Sequence, residues 1–107
     1  MDKFVYVEIL PIQRFPDMLE GIREYAQILE KSCGFSNGEE RDSAHYIEET
    51  YFKWHFQNCS IKFFWCDESG FQDWFGIAIN CEEENAIDLA HKICNNLTPF
   101  IKDYRIR

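Results

Sequence analysis

The chain carries three histidines and five cysteines, residue types from which a zinc site or a thiol nucleophile can be built. His55 with Cys59 and Cys66, or His91 with Cys94, comes nearest to a ligand set, yet neither has the paired short spacing of structural zinc sites. Cys94 falls instead on an apolar helical stripe. The five cysteines stand among aromatic, apolar or acidic neighbours, and these raise a thiol pKa rather than lower it. No metal, cofactor or cysteine catalyst is therefore expected. Their odd number and irregular spacing suggest reduced, buried thiols in a cytoplasmic protein, where the sequons at Asn58 and Asn96 would be accidental.

Carboxylates offer the other route to catalysis. Glu48 with Glu49, and Asp67 with Glu68 and Asp73, are close in sequence, but strand neighbours point to opposite faces. Solvated acids are the simpler reading. There is no Asp-x-Asp-x-Asp-Gly calcium loop, and the five glycines form neither a P-loop nor a dinucleotide fingerprint. The chain is expected not to be an enzyme.

What remains is a surface argument. Ten of the residues from Tyr51 to Phe75 are aromatic, and Glu39 to Ala90 holds twelve acids against Arg41, Lys53 and Lys62. The overall charge of −8 repels nucleic-acid backbones and anionic lipid, and favours encounter with a basic protein. Direct nucleic-acid or membrane binding is not expected. Aromatic rings supply most interface anchors, and flanking carboxylates supply orientation.

The elements that must position these groups follow from periodicity. Lys3 to Leu10, rich in β-branched and aromatic residues and stopped by Pro11, predicts a first strand. Pro16 suits a helix's first turn, and Met18, Ile22, Tyr25 and Leu29 recur at helical spacing up to a stop at Gly34. Phe35 to Ser43 has turn chemistry and charge, and predicts an exposed loop. From 43 to 57, helical spacing of Ala44, Ile47, Tyr51 and Trp54 competes with alternation of Phe52, Trp54 and Phe56. A strand from Tyr46 to Phe56 is favoured. Ile61 to Cys66, a turn at 67–70 and Phe71 to Asn80 read as a hairpin. Asn80 would cap a last helix with Glu82, Glu83 and Glu84 in its first turn and Ala86, Ile87, Ala90, Ile93, Cys94 and Leu97 as its apolar stripe. The tail 100–107 could add a short edge strand.

At 107 residues this is one domain, of α+β class: an antiparallel meander of three to five strands, order β-α-β-β-β-α, with two helices on one face. The other face would then expose part of the aromatic set. In size, in the acidic run Glu39 to Asp88, in Trp54, Trp65, Phe71 and Trp74, and in lacking active-site motifs, the chain resembles the small acidic bacterial immunity proteins that neutralise nuclease toxins of the contact-dependent inhibition or colicin type. That resemblance implies stoichiometric inhibition, with carboxylates occupying the toxin's phosphate-binding site or blocking entry to it. The candidate partner-binding residues are Glu39, Glu40, Asp42, Glu48, Glu49, Asp67, Glu68, Phe71, Asp73 and Trp74. The alternative is a regulatory or ligand-binding α+β domain, dimeric through its open sheet face.

Overall fold

The computed structural model describes residues 3–12, 18–41, 51–66, 74–81 and 85–106. Strand β1 (Lys3–Pro11) leads to helix α1 (Met18–Cys33). Strands β2 (Glu39–Arg41), β3 (Tyr51–Phe56), β4 (Cys59–Cys66) and β5 (Trp74–Cys81) come next. Helix α2 (Ala86–Leu97), a 3-10 turn (Thr98–Phe100) and strand β6 (Ile101–Ile106) complete the chain. The strands form one six-stranded sheet in the order β2-β3-β4-β5-β1-β6, every neighbouring pair antiparallel. The α+β class is as expected, with six strands rather than three to five.

Strand register explains the core. Val5, Ile79, Ile61 and Trp54 stand in one transverse row, and Val7, Ile77, Phe63 and Phe52 in the next. Side chains alternate along a strand, so both rows share a face with Ile9, Phe75 and Trp65. That face packs on Ile22, Tyr25, Ala26 and Leu29 of α1 and on Ala86, Ala90, Ile93, Cys94 and Leu97 of α2, in one buried cluster. Tyr25 centres the aromatic part, its ring 5.2 Å from Phe75 and 5.6 Å from Phe63. Its hydroxyl donates to the Phe100 carbonyl at 3.0 Å, tying α1 to the turn before β6. Burial, aided by the charge of Glu24, pushes the phenol up to about 12.

Several expectations change. Glu39 to Arg41, read as part of a loop, is an edge strand paired with β3. Its three residues are all exposed, so no apolar alternation marked it. The tail, by contrast, forms the edge strand expected of it: β6, six residues paired with β1. Asn80 lies within β5 and does not cap α2; Asn85 occupies that position without a side-chain capping bond, its carbonyl accepting from Leu89 N–H at 3.0 Å. The helix start at Pro16, the disputed stretch 43–50, the turn 67–70 and the acids Glu82 to Glu84 lie outside the described residues.

The thiol expectation is also corrected. Cys59 and Cys81 are joined in a disulfide. They are register partners at the β4–β5 strand ends, with Cα atoms 4.3 Å apart, so pairing the strands brings the sulfurs together. Cys33 and Cys94 are free and buried, and burial pushes the Cys94 thiol up to about 12. A cytoplasmic address, inferred from reduced thiols, loses that support. Among the described residues no helix is long and apolar enough to cross a membrane.

Candidate protein-binding surface

The face of the sheet opposite the helices is built from the other strand parity. Arg41, Tyr51, Phe64, Gly76, Glu8 and Arg105 form a row across all six strands. The adjacent row is Glu39, Lys53, Lys62, Ala78 and Tyr6. Gly76 is what lets the rings lie down: a Cβ there would stand 2.6 Å from Phe64 Cζ and 2.9 Å from the Tyr6 hydroxyl oxygen. Phe64 and Tyr6 are tilted together with centroids 5.8 Å apart. Lys62 extends its ammonium over Tyr51 at 5.0 Å and over Phe64 at 5.6 Å, a cation–π arrangement that holds a cation at the middle of the face. Glu8, within this layer, is the one charged side chain buried among the described residues.

The aromatic stretch therefore divides by strand parity. Trp54, Phe63 and Phe75 are fully buried in the helix-side core, and Phe52, Phe56 and Trp65 pack against its margin. Tyr51 and Phe64 are the two of its described rings on the helix-free face, joined there by Tyr6 and the exposed Phe4 of β1. Tyr6 and Phe4 were not candidates, although their alternation with Val5 and Val7 gave the signal. Trp54, counted towards the acidic aromatic surface, is core.

Of the ten candidate residues, Glu39 and Glu40 are exposed on β2. Glu39 stands opposite Lys53. Glu40 accepts two hydrogen bonds from Arg23 of α1, at 2.6 and 2.9 Å. That bidentate bond holds the Glu40 carboxyl below its usual value, against the opposing effect of burial and with the guanidinium charge adding to it. Glu40 thus fastens the edge strand to a helix. Asp42, Glu48, Glu49, Asp67, Glu68, Phe71 and Asp73, and the side chain of Trp74, lie outside the described residues.

Arg41, the end of β2, pairs with Tyr51, the start of β3; Cys66, the end of β4, pairs with Trp74, the start of β5. Tyr51 in turn pairs with Phe64, so both connections leave from one end of the sheet. Segments 42–50 and 67–73 each contribute three carboxylates and no Lys or Arg.

At the other end lies an open depression of about 480 Å³ lined by His55, Gln57, Asn58, Ser60 and Asn80. Positive φ angles at Gln57 and Asn58 shape the β3–β4 turn beside it. No group of three or more His, Cys, Asp and Glu able to hold a metal ion occurs among the described residues. No known protein family matches the chain, and no curated protein or solved structure matches it significantly.

Proposed function

We propose that this domain is a non-catalytic protein-binding module of the immunity or antitoxin type, which blocks a basic, nuclease-type toxin domain with the acidic end of its sheet. One observation carries the reading: the described strand ends Arg41 and Tyr51, and Cys66 and Trp74, meet at one end of the sheet, and the segments joining them, 42–50 and 67–73, hold three carboxylates each and no Lys or Arg. Their six carboxylates would stand where a nuclease holds nucleic-acid phosphates. Encounter is steered by the field of this end, and residence depends on desolvated anchors such as Phe71 and Trp74. The middle of the helix-free face, with Lys53 and Lys62 side by side, suits a basic partner poorly. The contact is accordingly assigned to the sheet end rather than the whole face.

Affinity capture from the source organism, at low and high salt with mass spectrometry, tests the proposal. A basic protein should be retained at low salt, associate more slowly at high salt, and be lost with Asp42→Lys, Glu48→Lys and Glu49→Lys combined. Capture of no basic partner at either salt concentration would sink the reading.

A further inference from the structure

We infer that β6 is the seam of a two-fold dimer, in which edge strands from two copies pair antiparallel about Tyr104 and join two six-stranded sheets into one. The seam lies on the lateral edge strand β6, whereas the acidic segments leave from β2–β3 and β4–β5, so different variants test it and it stands or falls apart from the proposed function. On its inner side β6 pairs with β1, Glu8 opposite Arg105 and Leu10 opposite Asp103. On its outer side nothing among the described residues covers it, and Lys102, Asp103, Tyr104 and Arg105 are all exposed. An uncovered strand edge is a template for another strand. The Tyr104 N–H meanwhile donates to the carboxylate of Asp103 at 2.8 Å, a local substitute for a ladder partner.

Charge selects both the occupant and the register. With the axis at Tyr104, Asp103 of each copy faces Arg105 of the other and the two Tyr104 rings meet, favourable cross-strand pairs on both faces. Moving the axis one residue towards Ile101 sets Asp103 against itself, and moving it one residue the other way sets Arg105 against itself. Only the first register is self-complementary, as a two-fold interface requires. Apolar surface lies at the same edge: Phe100 is 43 % and Tyr104 37 % exposed, and Ile12, 55 % exposed, bonds through its N–H to the Phe100 carbonyl. The opposite edge, β2, has three residues, too few to propagate the sheet, so pairing closes at two copies.

Sedimentation velocity across a wide range of protein concentration, with circular dichroism to confirm folding, tests the seam. The unmodified chain should pass from monomer to dimer as concentration rises, and less readily at high salt. Asp103→Arg and Arg105→Asp should each be monomeric, because each places like charges opposite one another in the symmetric pair. Mixed in equal amounts they should form a one-to-one heterodimer, and the exchange Asp103→Arg with Arg105→Asp in one chain should restore the homodimer. A chain that stays monomeric at every concentration, or either single variant dimerising like the parent, overturns the inference. Arg105→Asp sets a second carboxylate opposite Glu8; if it fails to fold, Asp103→Arg alone decides, and its dimerisation overturns the seam.

Discussion

Reducing the Cys59–Cys81 bond should cost this domain a large part of its stability. The bond joins residues separated by 22 positions. For a closed loop of that length, the chain-entropy relation gives about 11 cal/mol/K, or about 3.4 kcal/mol at 25 °C. A small domain is stable by roughly 5–15 kcal/mol, so the loss is a substantial fraction of the total. Urea unfolding with and without reductant measures it: at an m-value of roughly 1.5 kcal/mol/M the midpoint should fall by about 2 M. Cys59→Ala with Cys81→Ala should reproduce the shift, and reductant should then change nothing further. Thiol titration in denaturant checks the pairing: Cys33 and Cys94 should react without reductant, Cys59 and Cys81 only with it. Before denaturation Cys33 and Cys94 should react slowly, since both are buried and the Cys94 thiol is pushed up to about 12. Reaction of Cys59 and Cys81 in denaturant without reductant, or a midpoint that reductant leaves in place, would refute the reasoning.

Gly76→Ala should drive the Phe64 ring off the sheet and destabilise by about 1–3 kcal/mol in thermal unfolding, while Phe64→Leu in the same chain should recover part of the loss. Tyr25→Phe removes the bond to the Phe100 carbonyl and should cost about 1 kcal/mol at neutral pH. Because the Tyr25 pKa is raised to about 12, its contribution is present in full below the unfolded value near 10. It is lost as pH rises from about 10 towards 12, so the advantage of the parent over the variant should disappear within that window. Glu40→Gln breaks an exposed pair and should cost no more than about 1 kcal/mol at pH 7. The Glu40 pKa is lowered, so the difference should persist above the unfolded carboxylate range, about pH 4.3, and vanish as pH falls through the folded value.

How far the fold was legible depended on whether each element carried its own apolar period. Both helices and β1, β4 and β5 did, and their existence followed from local pattern. β2 did not: Glu39, Glu40 and Arg41 are a strand because β3 offers a ladder and Arg23 holds Glu40, and neither cause is visible along the chain. The disulfide was hidden for a similar reason. Cysteine spacing does not specify partners, whereas the β4–β5 register sets Cys59 directly opposite Cys81. For the surface, parity within a strand was legible and its sense was not. The alternation of Phe52, Trp54 and Phe56 says that they share a face, but only the docked helices show that it is the core. Tyr51 and Phe64 were left to the other side.

The two ends of the sheet have become different places. Cys59–Cys81 closes one end, while β4 runs eight residues to the end where Cys66 meets Trp74. At about 3.4 Å per residue that is roughly 24 Å, well beyond the ~8 Å screening length at physiological salt. On the proposed function, charge reversals in 42–50 and 67–73 should abolish partner binding while leaving the urea midpoint of the free domain nearly unchanged. Reduction should do the opposite, lowering the midpoint while partner affinity, measured well below the transition, stays within a few-fold. A carboxylate reversal that unfolded the domain as readily as reduction does would mean those acids belong to the fold and not to a binding site.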